Sequence, residues 1–278
     1  MEKDQIRVIA IFAHPDDAEV KMGGTAARFA EMGHAVKFLS LTNGDAGHHE
    51  LGGGALARVR KAEAAEAASR LGIDDYEILN VHDAELTPSL EVRHQVIRKI
   101  REWKADIVIG LRPNDYHPDH RYAGQIVMDA AYLVVVPNVV PDTPPLEKNP
   151  LFLYMQDEFQ KPWPLVPDLV IGIDDTFSKK LDALDAHPSQ FYEWLPWVDG
   201  VLDQVPDDPS ERRSWLVNWM GRELSGLPSR EEEVRDRLRS LYGSDRAAEI
   251  EKVEVFEIAE YGHQPTDEEI LDLFPMIK

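Results

Sequence analysis

Short apolar runs alternate with amphipathic stretches along the first half of the chain. Apolar runs without polar interruption, rich in β-branched residues, are typical of strands buried on both faces of a parallel sheet. Such runs predict strands at IRVIAIFA (6–13), AVKFLSLTNGDAG, YEILNV and DIVIGL (106–111). Helical spacing of apolar residues predicts helices at 23–34, 57–73 and 90–105. This alternation, with short connections, predicts a doubly wound α/β fold: a Rossmann-like, mostly parallel sheet sandwiched by helices.

Local signals mark the ends of two of these helices. Thr25 is the candidate cap of the helix at 23–34, and Gly33 is its candidate stop. The Ala-rich helix at 57–73 is expected to close at Gly72, because glycine readily adopts the left-handed conformation of a helix end.

The pattern changes in the second half of the chain. A helix at 122–135 and a Pro-rich loop precede two short strands, LFLYM and DLVIGI, and VEVFEIAEY (253–261) predicts a closing strand. Residues from about 191 to 250 are rich in Trp, Glu and Arg. We interpret them as a C-terminal helical insertion within a single domain that spans residues 1–278. The spacing of its tryptophans favours core packing over a carbohydrate platform; they are Trp194, Trp197, Trp215 and Trp219.

Composition narrows the classes of protein. The chain has 278 residues, of which 43% are hydrophobic, and this is enough for a sizeable core. It has no cysteine, so a metal would be held by His, Asp, Glu or water. A net charge of −21 opposes binding to nucleic acid. The charged start and the lack of a long apolar run indicate a cytoplasmic protein with no membrane span.

Polar clusters follow three of the predicted strands. In an open parallel sheet, ligands bind beyond the carboxyl ends of the strands, where these clusters lie. A nucleotide-binding Rossmann domain would instead carry G-x-G-x-x-G after its first strand. The clusters are HPDDAE, NGDAGHHE and RPNDYHPDH (112–120).

The first cluster places three ionisable side chains at a strand-to-helix turn. Pro15 biases His14 to extended geometry, so that His14, Asp16 and Asp17 fan out from the turn. An aspartate that caps the helix is the structural alternative, but it leaves His14 unexplained.

HPDH at 117–120 repeats a histidine and an aspartate around a proline at a second strand end. Histidine with carboxylate ligands, leaving positions open, is the arrangement of a catalytic divalent metal site.

The sequence resembles the LmbE-like (PIG-L) N-deacetylases, which hydrolyse the acetamide of N-acetylglucosamine-type sugars. The resemblance covers roughly residues 6–190. The matching segments, in family order, are AHPDDAE, MGGTAARFAEMGH, LTNGDAG, RKAEAAEAASRLG, HDAEL, HPDH and KKLDALDAHPSQ.

The resemblance implies a ligand set and a cofactor. By position, His14, Asp17 and His120 match the metal ligands of the family. The implied cofactor is Zn²⁺, with Fe²⁺ or Mn²⁺ as alternatives, since His and Asp ligands select weakly among these ions.

The resemblance also implies catalytic roles. Asp16 matches the general base, which takes a proton from the attacking water. His117 matches the histidine that stabilises the oxyanion or protonates the leaving amine. Asp119 is expected to fix the tautomer of His117 and to raise its basicity.

Two further positions match family residues near the sugar. Arg60 and Asp83 are implied substrate-binding residues. For Arg60 the alternative is an ion pair with Glu63 on a solvated helix face, and for Asp83 it is a turn-forming loop acid. His187 matches a segment of less certain role, and the alternative there is a histidine that caps helix carbonyls.

The chain departs from the family pattern at two points. Ala18 follows Asp17 where the family often has Glu, which leaves Glu19 without an assigned role. Asp115 replaces a tyrosine that the family sometimes has two positions before the first histidine of HPDH. His48 and His49 either wall the site or are solvated.

The sequence thus predicts a metal-dependent hydrolase that removes the N-acetyl group from an N-acetylglucosamine-type sugar or glycoconjugate. The alternatives are a metallohydrolase that acts on a different amide and a non-catalytic protein of the same fold that binds metal or sugar. The expected partner is a small N-acetylated amino sugar, and a homo-oligomer is a further expectation.

Overall fold

The computed structural model describes residues 5–278 apart from 222, 225 and 227. Seven strands of this part of the chain form one sheet in the order β3-β2-β1-β4-β5-β7-β6. The strands are β1 (Arg7–Phe12), β2 (Ala35–Ser40), β3 (Asp75–Ile78), β4 (Ile107–Gly110), β5 (Leu151–Met155), β6 (Leu169–Gly172) and β7 (Val253–Gly262).

The first five strands are parallel to one another, which confirms the predicted fold class. The strand that closes the sheet, β7, is antiparallel to both of its neighbours, β5 and β6. The order β3-β2-β1-β4-β5 is that of the Rossmann fold, and β7 is the departure from it. Ile9, Ile11 and Phe12 of β1 are fully buried, as expected for a strand covered on both faces.

Helices cover the sheet. None in the described part of the chain is both long enough and apolar enough to cross a membrane. The helices are α1 (Asp17–Glu31), α2 (Gly53–Leu71), α3 (Leu90–Trp103), α4 (Pro118–Ala131), α5 (Phe177–Asp185), α6 (Leu195–Val198), α7 (Pro209–Trp219), α8 (Glu231–Tyr242), α9 (Ser244–Glu249) and α10 (Asp267–Leu273).

The predicted end of α2 agrees with the structure, but the predicted starts of two helices do not. Gly72 ends α2 in the left-handed conformation, with φ of 75°. The prediction that Thr25 caps the first helix is wrong, because α1 begins at Asp17 and includes Thr25. The helix predicted from residue 122 begins earlier, at Pro118, with His117 as its N-cap.

A kink in α1 explains the error at Thr25. Met22 has a non-helical φ of −148°, so the backbone N–H groups just after it lack helical partners. The carboxylate of Glu254, from β7, accepts hydrogen bonds from Gly24 N at 3.0 Å and Thr25 N at 2.7 Å. Lys180 of α5 donates to the same carboxylate at 2.7 Å, and both side chains are almost fully buried. A residue distant in sequence therefore caps the second part of α1.

Residues 191–250 contain α6 to α9, in agreement with the helical prediction. Trp215 and Trp219 pack against a cluster around Leu216 and Phe191, as expected for core residues. Residues 222, 225 and 227 of the predicted insertion lie outside the described residues. The single domain with an insertion stays a prediction.

The capped kink makes Lys180 a sensitive position. We expect Lys180→Met to lower the free energy of unfolding by about 3 kcal/mol, because it leaves the Glu254 carboxylate buried without its countercharge. Urea denaturation followed by circular dichroism measures the change. The neighbouring Lys179 pairs with Glu31 at the surface, so Lys179→Met is expected to cost no more than about 1 kcal/mol. Equal losses for the two variants would show that the two backbone amides alone satisfy Glu254.

Candidate metal centre and active site

The candidate site lies where the order of the strands reverses, between β1 and β4. His14 follows β1, and His117 and His120 stand at the start of α4, just after β4. In sheets of this kind, ligands bind at this edge. The structure therefore brings HPDD and HPDH together, as the sequence predicts.

The three predicted metal ligands, His14, Asp17 and His120, lie close together. His14 Nδ1 and His120 Nε2 are 3.1 Å apart. Asp17 Oδ1 is 3.3 Å from His120 Nε2, and Asp17 Oδ2 is 3.7 Å from His14 Nδ1. Donor atoms of a tetrahedral Zn²⁺ site with bonds near 2.0–2.1 Å are about 3.3 Å from one another. The His14–His120 and Asp17–His120 distances are near this value. Among the described residues, the groups that could hold an ion with one donor atom each are His14, His117 and His120, and His14, Asp83 and Asp119.

Asp17 is held in place by the turn that carries it. Its Oδ2 accepts hydrogen bonds from Ala13 N at 3.1 Å and from His14 N at 2.9 Å. Burial raises the pKa of this carboxyl, but His120, His14 and the hydrogen bonds outweigh it and hold the pKa far below its usual value. Asp17 is therefore ionised at neutral pH.

The opposite edge of the His14 ring faces two further carboxylates. His14 Nε2 lies 3.0 Å from Asp83 Oδ1 and 3.4 Å from Asp119 Oδ2. Burial lowers the pKa of His14, but Asp119, Asp83 and Asp17 outweigh it and raise the pKa to about 10. Carboxylates in this position orient a histidine so that its other nitrogen faces a metal. The site thus holds an excess of negative charge that a cation would balance.

Asp115 makes the corresponding contact with His120. Its Oδ1 lies 3.1 Å from His120 Nδ1 and accepts a hydrogen bond from His117 N at 2.9 Å. Burial lowers the pKa of His120, but Asp17 and Asp115 raise it to about 9. Sequence reasoning noted Asp115 only as a replacement for tyrosine and missed this contact. The sequence does place the carboxylate of Asp115 only a few residues before both histidines of HPDH, and this proximity could have suggested the contact.

His117 is placed as a hydrogen-bond donor. It caps α4, and its Nδ1 accepts from the backbone N–H of Asp119 at 3.2 Å. In the neutral ring the proton is therefore on Nε2. Burial lowers the pKa of His117, and positive charge on His14 and His120 lowers it further.

The Asp119 side chain is engaged elsewhere. Asp119 was expected to fix the tautomer of His117 with its carboxylate, but its backbone amide makes the contact with His117 Nδ1. The carboxylate accepts from Ala84 N at 2.7 Å and from Leu86 N at 3.2 Å, and it lies against His14. Asp119 thus ties the loop after β3 to the start of α4.

Arg60 contacts the predicted base. Its Nη2 donates to Asp16 Oδ2 at 3.0 Å and to Pro15 O at 2.7 Å, and the residue is only 2% exposed. A solvated Arg60–Glu63 pair is wrong, because the Glu63 carboxylate accepts from Ser189 instead. Burial raises the pKa of Asp16; Arg60 lowers it, Asp17 raises it, and the result is a pKa of about 6.

His187 lies beside the site and is fully buried. Its Nε2 is 3.0 Å from Glu19 Oε1, and the hydroxyl of Tyr76 donates to the other oxygen of Glu19 at 3.4 Å. The ring of His187 therefore packs on α1 through Glu19, which differs from the helix-capping alternative.

A cavity of about 400 Å³ opens beside His120. Its lining carries charges of both signs together with aromatic side chains, and it offers space for a substrate next to the candidate metal ligands. Residues of this lining include Lys21, Asp115, Tyr116, Gln156 and Phe159.

A mostly parallel sheet with a His/Asp cluster at its switch point defines an α/β protein with a candidate divalent-metal centre. Comparisons with known proteins give its family. The family described as GlcNAc-PI de-N-acetylase (PIG-L) matches residues 9–131. A diacetylchitobiose deacetylase of Thermococcus kodakarensis is 31% identical over 206 residues, covering 70% of this chain and 74% of that protein.

Two more comparisons extend the match. A probable N-acetyl-alpha-D-glucosaminyl L-malate deacetylase 2 of Bacillus anthracis is 28% identical over 225 residues, covering 77% of this chain and 93% of that protein. The structure of the N,N'-diacetylchitobiose deacetylase of Pyrococcus horikoshii superposes with a TM-score of 0.66 at 26% identity, covering 92% of this chain and 85% of that one. The chain belongs to the PIG-L (LmbE-like) family.

Close packing at Gly124 sets the position of α4. A Cβ atom there would lie 2.5 Å from Leu111 O and 2.9 Å from Arg112 O, which are backbone atoms. We expect Gly124→Ala to lower the free energy of unfolding by about 3 kcal/mol in urea denaturation, since α4 must move off the end of β4. A Cβ on Gly54 of α2 would meet only Arg58 Nη1, at 3.5 Å. Gly54→Ala is the matched control, expected to leave stability unchanged or raise it by up to about 1 kcal/mol.

Proposed function

We propose that the protein is a metal-dependent N-deacetylase that hydrolyses the acetamide of an N-acetylglucosamine-type sugar or glycoconjugate. The observation that carries this proposal is the convergence of three donor atoms, the carboxylate of Asp16 and the ring of His117 at one edge of the sheet. The chitobiose and malate-conjugate deacetylases among its relatives support the substrate class.

We infer that His14, Asp17 and His120 hold the ion. Three protein ligands leave a position open, as in catalytic rather than structural zinc sites. A bound Zn²⁺ supplies Lewis acidity, which polarises an amide carbonyl and lowers the pKa of water. Fe²⁺ and Mn²⁺ suit the same ligands, so metal analysis of the purified protein is part of the test.

Asp16 is the proposed general base. Its pKa of about 6 lies close to neutral pH, where a base both is ionised and accepts a proton effectively. A bound cation opposes this rise, because positive charge favours the carboxylate. Arg60 fixes the orientation of Asp16, so we assign it a positioning role through Asp16.

His117 is the proposed hydrogen-bond donor to the reacting amide. Its Nδ1 is occupied by a backbone N–H, so Nε2–H is the group that it presents. Such a donor stabilises negative charge on the carbonyl oxygen, and the same proton can pass to the leaving amine. Asp119 and Asp83 orient the His14 ring through its Nε2. The backbone amide of Asp119 also fixes the tautomer of His117.

We also infer that residues 1–278 form one domain and that the insertion at about 191–250 shapes substrate choice. Its first helical turn contacts the loop after β2, because His48 Nε2 lies 2.9 Å from Glu193 Oε2. The insertion is therefore placed beside the candidate centre.

Metal-dependent acetate release tests the function. We expect the protein to release acetate from N-acetylglucosamine or N,N'-diacetylchitobiose, and we expect a chelator to abolish this release. Asp16→Asn is expected to lower kcat by at least about 100-fold, because the base is lost while the Arg60 contact is kept. Metal content, measured by plasma mass spectrometry, is expected to stay at the wild-type value. Full activity of Asp16→Asn would remove Asp16 as the base, and no release from any N-acetylated sugar would overturn the function.

Asp115 gives a separate test of the metal centre. We expect Asp115→Asn to weaken metal binding about 10- to 100-fold in competition with a chromophoric chelator, since the charge that orients His120 is lost. Asn retains an acceptor for His117 N, so the change isolates the charge. Asp142→Asn is the control, because Asp142 pairs with Arg98 at the surface and its side chain is 60% exposed. Equal affinities in the two variants would contradict the role of Asp115.

A further inference from the structure

A short segment after α5 joins two helices of the candidate site. His187 Nε2 lies 3.0 Å from Glu19 Oε1 of α1, and because a carboxylate accepts, this nitrogen carries the proton. Ser189 reaches α2: its backbone N–H donates to Glu63 Oε1 at 2.9 Å, and its hydroxyl donates to Glu63 Oε2 at 2.6 Å. All four residues are buried. The pair of His187 and Ser189, which connects α1 to α2, is called the bridge below.

The two glutamates lie next to the contact between Asp16 and Arg60. Glu19 is three residues after Asp16, and Glu63 is three residues after Arg60. Residues three apart lie on the same face of a helix. Asp16 stands at the start of α1 and Arg60 belongs to α2, so the 3.0 Å between Arg60 Nη2 and Asp16 Oδ2 depends on how these helices lie relative to each other. The bridge contacts both helices beside this pair.

The bridge stands where the chain leaves regular helical geometry. Helix α5, which ends at Asp185, packs against both α1 and α2. A π-helical turn follows at Ser189–Trp194. Turns of this kind are rare, and they occur frequently at functional sites. The irregular turn thus coincides with the residues that meet the two glutamates.

Gln190 extends these contacts to the loop after β2. Its Nε2 donates to Gly47 O at 3.0 Å. This loop lies against the Arg60 guanidinium, because a Cβ atom on Gly44 would be 3.2 Å from Arg60 Cζ and one on Gly47 would be 3.8 Å from Arg60 Nη1. The segment that contains the bridge therefore contacts both the helix that carries Arg60 and the loop that covers it.

We propose that His187 and Ser189 are positioning residues, which hold Arg60 against Asp16 by fixing α1 relative to α2. A displacement of about 1 Å in a catalytic group can cost about 100-fold in rate. Metal binding is expected to be unaffected, because the aspartate ligand is held by backbone N–H groups of its own turn. The effect of the bridge on turnover rests on the proposed function, whereas its effect on Arg60 is measurable without it.

Kinetics test the effect on turnover. We expect Ser189→Ala and His187→Leu each to lower kcat for acetate release from N,N'-diacetylchitobiose about 10-fold, with KM and metal content unchanged. His187→Gln is expected to restore most of kcat, because its amide can still donate to Glu19. Thr176→Val is the control. Thr176 precedes the other end of α5, is fully buried and donates to Gly24 O of α1 at 2.8 Å, beyond the kink, so this change is expected to alter kcat less than about twofold.

Nuclear magnetic resonance of arginine side chains tests the position of Arg60 without using activity. A guanidinium held by hydrogen bonds gives separate Nη–H signals, whereas one that rotates freely gives an averaged signal. Arg60→Lys identifies the Arg60 signals by their loss. We expect separate signals in wild type and in Thr176→Val, and averaged signals in Ser189→Ala and His187→Leu, while circular dichroism stays unchanged.

The two measurements separate this inference from the proposed function. If wild type released no acetate but both bridge variants averaged the Arg60 signals, the proposed activity would be wrong and the bridge supported. If acetate were released and either kcat or the Arg60 signals stayed at the wild-type value in both variants, the bridge alone would be wrong. Averaged Arg60 signals in wild type would also overturn the bridge, and absence of release together with unchanged signals would overturn both.

Discussion

The crowding of carboxylates around two imidazoles at the ends of β1 and β4 is the constraint on which the rest of the structure depends. Four aspartates contact His14 and His120 in a largely buried volume, and they raise the pKa of both rings. Such a cluster is stable only when positive charge lies within it. Protons supply that charge on the free side chains, and a divalent ion can supply it instead, with its donor atoms already near the required spacing. The aspartates are Asp17, Asp83, Asp115 and Asp119.

Distant parts of the chain hold this cluster in place. Glu254 of β7 caps the second part of α1. The first turn of α1, which carries Asp17, therefore need not continue as a regular helix through the kink at Met22. Gly124 lets α4 approach the end of β4 and brings His120 to the site. Arg60 of α2 reaches the same turn through Asp16. Precise placement of a few donors therefore depends on packing in three separate elements, β7, α4 and α2, as a preorganised centre requires.

The sequence predicted what is encoded locally. The residues themselves predict the buried strands, the glycine end of α2 and both His/Asp turns that contain proline. Because ligand sites lie at the carboxyl ends of parallel strands, the two turns were expected to lie together. The capping of α1 by Glu254 was not predictable, because Thr25 is a good local cap and the competing carboxylate comes from β7. The direction of β7 depends on the path of a long helical connection. Burial of Arg60 and the contact of Asp115 with His120 depend on tertiary packing, which helical spacing does not reveal.

The tryptophans of the insertion have two different environments, which the composition of the segment alone does not distinguish. Trp215 and Trp219 stand on one face of α7 and pack against the cluster around Leu216, whereas Trp194 and Trp197 stack on each other beside His49 of the loop after β2. The same residue type is core in one setting and surface in the other, and the difference is made by which element covers it. The insertion therefore adds to the core at α7 and lies against the loop after β2 at Glu193.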